Sequence, residues 1–247
     1  MIRALLFDLD NTLLRNDMDR FIPAYLAALS RHMAPLFAPD PFIRHLMRAT
    51  EAMVADTDPW RTNMEVFDAV FFPSLGRSRQ ELEPLFEDFY VHHFPRLREL
   101  TRPDPAARPL VEWAFAQGYQ VAVATNPLFP RTAIEQRLAW ADVPVSDFPY
   151  HWITSYENMH AAKPHPAYYL EIAQRLDRLS EQCLMIGDDW LMDIRPALEI
   201  GMSAFWIAAP DQPSPAEEPA PTGQGSLADF GRWLAAQRRQ GRSTARS

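Results

Sequence analysis

The chain has 247 residues, 47% of them apolar, and a formal charge of −8, which allows one large domain or a core with a smaller insertion and argues against a broad nucleic-acid footprint. Its single cysteine, Cys183, excludes an internal disulfide and with it a disulfide-built extracellular scaffold. The opening MIRALLFDLD carries two aspartates where a signal peptide needs apolar residues, and no later apolar run is long enough for a bilayer, so a cytoplasmic protein away from membranes is expected.

Ile2 to Phe7 is a short apolar run that ends in Asp8, the pattern of a buried strand delivering a polar residue at its carboxyl end. From about Asp19 to Leu100 the apolar residues recur at helical spacing. Phe21, Tyr25 and Leu29 make one stripe, Phe42 and Leu46 a second, Phe67, Val70 and Phe71 a third, and Leu82, Phe86 and Phe89 a fourth. Four helices inserted after the first strand would form an all-helical cap, with these stripes as its core. A helical pattern then covers Pro105 to Gln117, closed by Gly118, before the apolar run Tyr119 to Thr125. Further helices are expected at Pro130 to Trp140, Pro166 to Leu176 and Leu191 to Ile200. Further strands are expected at Trp152 to Thr154, Cys183 to Gly187 and Ala204 to Ala208.

Strands alternating with helices predict an α/β fold, a parallel sheet in a three-layer αβα sandwich whose ligand site lies outside the strands' carboxyl ends. The expected organisation is a core of residues 1–18 and 101–208, a helical cap at 19–100, a Pro-rich and acidic linker at 209–225, and a short helix with a basic tail at 226–247. Ser226 is the expected cap of that helix, Leu227, Phe230 and Leu234 its apolar face, and RRQGRSTARS a frayed end.

Four strand ends deliver polar residues suited to phosphoryl transfer: Asp8-Leu9-Asp10-Asn11-Thr12, then Thr125-Asn126, then Lys163-Pro164, and Gly187-Asp188-Asp189 followed by Asp193. Of the 24 Lys and Arg side chains only Lys163 is a lysine. A compact ammonium suits a tight contact to a single oxygen better than a guanidinium fork.

The segment FDLDNTLL resembles the first motif of the haloacid dehalogenase (HAD) superfamily, and the other three segments are similar to its second, third and fourth motifs, in order. The resemblance covers about Met1 to Ala208, with the helical block similar to the family's first-position cap. It implies a Rossmann-like core and Asp8 as the nucleophile that forms an aspartyl phosphate. It also implies Mg²⁺ held by Asp8, the backbone carbonyl of Asp10 and Asp188. Asp193 or Asp189 would complete the metal's first or second shell, and the GDxxxxD spacing favours Asp193. Asp10 would be the general acid and base. The Thr125 hydroxyl, the Asn126 backbone N–H and Lys163 would bind the phosphoryl group. Pro127 stands where many members have glycine, which stiffens that loop and removes an N–H donor.

The expected activity is hydrolysis of a small phosphorylated metabolite, by a monomer or homodimer, with no nucleic-acid or membrane partner. A dehalogenase is the alternative of the same family, and the family's dehalogenase branch lacks the aspartate found here at Asp10. A phosphomutase, a catalytically silent phospho-binding module and a phospho-receiver are the remaining alternatives, the last disfavoured because HWITS offers no acceptor aspartate. Selectivity is expected from the cap and from a flap at about Arg15 to Arg20. Asp58, Trp60, Arg61 and Asn63 read as a solvated loop rather than a leaving-group contact. His92, His93, His151, His160 and His165 show no metal-ligand spacing, so solvated or packing roles are expected for them.

Overall fold

In the computed structural model of the chain, residues 1–209, 211–213 and 219–244 are described, the side chains as far as residue 239. Six strands form one parallel sheet: β1 (Ala4–Phe7), β4 (Gln120–Val123), β5 (Trp152–Ile153), β6 (Cys183–Gly187), β7 (Ser203–Ile207) and β8 (Gly223–Gly225). Their order is β5-β4-β1-β6-β7-β8. β1 therefore lies in the middle, with Leu5 opposite both Val121 and Leu184.

Side chains alternate across these strands and divide the core in two. Leu5, Phe7, Val121, Val123, Leu184, Ile186 and Phe205 face one way. They meet α5 (Ala107–Ala116), α6 (Arg131–Trp140) and α9 (Leu227–Thr244). Leu6, Ala122, Met185 and Ala204 face the other way, onto Tyr168, Tyr169 and Ile172 of α7 (Pro166–Arg175) and Ala197 of α8 (Arg195–Glu199). The result is the expected three-layer α/β sandwich.

The chain between β1 and β4 forms β2 (Leu14–Asn16), α1 (Met18–Met33), α2 (Pro39–Ala55), α3 (Asn63–Ser74) and α4 (Arg79–Asp88). A π-helical turn (Phe89–His93), a 3₁₀ helix (Phe94–Leu100) and β3 (Thr101–Pro103) follow. Three of the four helices α1 to α4 carry a side-chain cap, and α2 starts on Pro39 without one. Asp17 caps α1, and Thr62 and Ser78 open α3 and α4 with reciprocal capping boxes to Glu65 and Glu81. Phe21, Leu29, Phe42 and Phe71 are then fully enclosed, while Phe67, Val70 and Phe86 are only partly so. β2 and β3 pair antiparallel, tying the entrance and exit of the helical block together, a ribbon too short to be read from the sequence.

Two expectations at the carboxyl end are corrected. The stretch 209–225 is not linker throughout, because β8 adds to the sheet edge beside β7. A Cβ on Gly223 would sit 2.7 Å from the Phe205 ring, so the glycine that looks like linker composition is what lets the strand approach. The helix α9 also continues to Thr244, through most of the stretch expected to fray. Residues 210 and 214–218 of the expected linker and 245–247 of the tail lie outside the described residues. Among the described residues, no helix is long and apolar enough to cross a membrane.

Candidate active site

Asp8 directly follows β1, the central strand, and its N–H donates to the Ile186 carbonyl of β6 at 2.8 Å. The Lys163 Nζ donates to Asp8 Oδ1 at 2.7 Å and to Asp193 Oδ1 at 2.5 Å. Carboxylate oxygens of Asp8, Asp188 and Asp193 lie within 4.8 Å of one another. Lys163 is 2% exposed and Asp193 1%, and Asp8 is also buried, while Asp188 is partly exposed, so three acids surround one buried ammonium.

The approach of Asp193 depends on Gly187 at the end of β6: a Cβ there would lie 2.3 Å from Asp193 Oδ2. The same oxygen accepts the Asp189 N–H at 3.1 Å, leaving Oδ1 to Lys163. Asp189 itself points elsewhere. Its exposed carboxylate caps the π-helical turn Trp190–Ile194 by accepting the N–H groups of Leu191 and Met192, so Asp193 and not Asp189 joins Asp8 and Asp188.

The charges follow from burial. Burial pushes the Asp8 carboxyl well above its usual range, with Asp193 and Asp188 adding to the rise and Lys163 opposing it. Asp188 is pushed up to about 7, first by burial and then by Asp193, again against Lys163. Asp193 is raised by burial against the same lysine. Burial alone would lower Lys163, but Asp193 and Asp8 outweigh it and hold the ammonium well above its usual range.

The second-motif loop is braced through its backbone. The Thr125 carbonyl accepts the Thr154 hydroxyl at 2.6 Å and the Tyr168 hydroxyl at 2.8 Å. The Asn126 side chain accepts the Lys163 N–H at 3.2 Å, a link between the two loops that the sequence reading, which assigned Asn126 its backbone N–H alone, did not anticipate.

Asp10 makes the least expected contact. Its carboxylate accepts the Arg137 Nη1 at 2.5 Å and the Asn16 amide at 2.8 Å. Arg137, on α6, is 1% exposed, stacks 4.6 Å from the Phe129 ring centre, and leaves Nε and Nη2 without hydrogen-bond partners among the described residues. A signal for it existed in the sequence. Arg137 falls three residues after Ile134 and beside Leu138, so it interrupts the buried face of its helix. Phe129 also walls a cavity of about 470 Å³ between the helical block and the core, lined further by Tyr25, Phe67, Phe86, Tyr90 and Tyr156. Asp10 is thus one cation and one ring away from that cavity.

The remaining candidates separate. Trp60 is 88% exposed, as a solvated loop would be, but Asn63 is buried and docks α3 on the core, its backbone N–H donating to Met159 O and its amide to Ala161 O. Arg15 pairs with Asp104, and Asp17 serves as a helix cap. His160 pairs with Glu171, His165 caps α7, and His151 Nδ1 accepts the Val121 N–H. His93 stands against His32 and Asp88, a grouping that sequence spacing could not reveal.

A family model for haloacid dehalogenase-like hydrolases matches residues 2–201. The chain belongs to the haloacid dehalogenase-like hydrolases. Among solved structures, this HAD chain is similar to a 2-haloacid dehalogenase from Pseudomonas syringae pv. Tomato DC3000, at 26% identity and TM-score 0.66, covering 96% of this chain and 100% of the other. A HAD phosphatase from Thermococcus onnurineus matches at 19% identity and TM-score 0.58, covering 94% and 98%. The L-2-haloacid dehalogenase from Xanthobacter autotrophicus matches at 17% and 0.56, covering 95% and 99%. No curated protein sequence matches the chain.

Proposed function

We propose that this HAD hydrolase is a Mg²⁺-dependent phosphatase acting on a small phosphate monoester, with residues 19–100 as its cap. One observation carries the reading: Asp8, Asp188 and Asp193, held within 4.8 Å of one another, face one ammonium among the described residues. When all are ionised, two negative charges are uncompensated, and a second anion, the phosphate, is to enter. An all-oxygen donor set of this kind fits a hard divalent cation, held by Asp8, Asp188 and Asp193 with the Asp10 carbonyl as a further ligand. The metal would neutralise the repulsion between nucleophile and phosphate.

The Asp8 carboxylate attacks phosphorus and forms an acyl phosphate as the bond to the leaving oxygen breaks. Asp10 donates its proton to that oxygen, then takes one from the water that attacks the aspartyl phosphate, releasing inorganic phosphate and restoring Asp8. Lys163 keeps positive charge beside the oxygens on which charge accumulates. Arg137 and Asn16 fix where the Asp10 side chain points before a substrate enters. The aromatic cavity suits a leaving group with an apolar surface.

Carbon–halogen hydrolysis is the second reading, favoured by the similarity to the Pseudomonas syringae 2-haloacid dehalogenase. The same assay separates the two. Phosphate release from a panel of phosphomonoesters with apolar and sugar leaving groups is expected, dependent on Mg²⁺ and lost in Asp8→Asn. Chloride release from 2-haloacids without metal, with no phosphate release, would overturn the phosphatase reading in favour of the second.

A further inference from the structure

We propose a second cation site in the helical block, formed by His32, Asp88 and His93 and suited to a borderline divalent transition ion such as Zn²⁺. These side chains come from α1 and from the junction of α4 with the π-helical turn. The Nε2 atoms of His32 and His93 lie 3.7 and 3.8 Å from the same oxygen, Asp88 Oδ2, and the two imidazole centres are 4.7 Å apart. Ligand atoms around a four-coordinate zinc ion with bonds of about 2.1 Å are separated by about 3.4 Å, so both imidazole nitrogens already stand within a few tenths of an ångström of that spacing from the carboxylate oxygen. The Leu85 carbonyl, 3.0 Å from His32 Nε2, lies within reach of a fourth position. In the metal-free chain that nitrogen donates to the carbonyl, and with the ion bound the imidazole takes the Nδ1–H tautomer and presents Nε2 as a ligand.

The backbone supplies an independent argument. In an α-helix, residues 88 and 93 would point about 140° apart. Here the Phe94 N–H bonds back to the Phe89 carbonyl, five residues earlier, which closes the wide turn that brings His93 over Asp88. Such turns are rare and frequently found at functional sites. His92 Nε2 is 3.8 Å from Asp88 Oδ1, where it can orient the carboxylate from outside.

Donor type separates this site from the acid cluster. Two imidazoles select zinc-class ions, whereas the oxygen-only set of Asp8, Asp188 and Asp193 suits Mg²⁺. The ion would clamp the end of α1 to the segment that returns through the 3₁₀ helix to β3. That strand pairs with β2, whose Asn16 holds Asp10, so the clamp would brace the connection between the helical block and the catalytic core.

The test uses tag-free, EDTA-stripped full-length protein titrated with Zn²⁺ by calorimetry. One equivalent is expected to bind with a rise in the thermal midpoint, unchanged in Asp188→Asn and weakened at least tenfold in His93→Gln. Co²⁺ in place of Zn²⁺ should give visible absorption bands of an imidazole-ligated ion that His93→Gln removes, while Mg²⁺-dependent phosphate release by that variant stays at the level of the parent. Absence of binding, equal affinity in His93→Gln, or displacement of Zn²⁺ by millimolar Mg²⁺ would overturn the proposal.

Discussion

Arg137 is nearly solvent-free and, among the described residues, only one of its guanidinium nitrogens, Nη1, has a hydrogen-bonding partner, the Asp10 carboxylate. Removing one member of a buried ion pair leaves the other uncompensated, which is costlier than removing both. Arg137→Met is therefore expected to cost about 3 kcal/mol of folding stability. Arg137→Met with Asp10→Asn should recover at least half of that loss. Urea denaturation of the two single variants and the double variant measures the coupling, and additive losses would show that the contact does not link the two residues energetically. Asp8→Asn keeps the shape of the proposed nucleophile and removes its charge. It should lower phosphate release by at least about a thousandfold while leaving the fold intact, since an amide cannot form the acyl phosphate. Circular dichroism beside the activity assay separates loss of chemistry from loss of structure.

At the scale of elements, the ends of β1 and β6 position Asp8 and Asp188 while Lys163 precedes α7 and Asp193 lies on the π-helical turn Trp190–Ile194, and the junction from β6 to that turn has the least room. Gly187→Ala places a methyl group 2.3 Å from Asp193 Oδ2, too close for both to stay. The variant is expected to fold, because β6 keeps its register, yet to lose Asp193 from the cluster and with it Mg²⁺-dependent stabilisation. Thermal melts with and without Mg²⁺ read this directly, and a full Mg²⁺ shift in Gly187→Ala would show that the close approach is dispensable. The same geometry explains what the sequence made legible. The strands β1, β4, β6 and β7 and the residues that follow them are contiguous, so an apolar run ending in Asp8 or Gly187-Asp188 announces both strand and site. Asp189 is adjacent to Asp188 in sequence, but its direction depends on a capping bond that no spacing rule encodes. Arg137 was missed because a charged residue on an apolar helix face looks like an exposed interruption until its partner, 127 residues away, is known. His32 and His93 meet only because two helices cross beside a π-turn, and β8 has no side-chain pattern to betray a strand.

Across the whole molecule, buried acids make stability depend on pH and on metal together. Asp188, with a folded pKa of about 7 against an ordinary 3.8, stabilises the metal-free fold while protonated. That contribution is complete below about pH 4 and is lost as pH rises through 7, and the raised Asp8 and Asp193 carboxyls act in the same direction. Lys163, held above its usual value, keeps its contribution throughout this window. Metal-free protein should accordingly lose thermal stability between pH 5.5 and pH 8. A cation binds the deprotonated acids, so Mg²⁺ has the opposite preference, and protonation of Asp188 should weaken it at pH 5.5 relative to pH 8. The midpoint gained on adding Mg²⁺ is expected to be larger at pH 8. In Asp188→Asn both the pH-dependent loss and the Mg²⁺ gain should shrink. Equal Mg²⁺ shifts at the two pH values in the parent protein would mean that the three acids do not hold the ion, and would remove the charge argument on which the phosphatase reading rests.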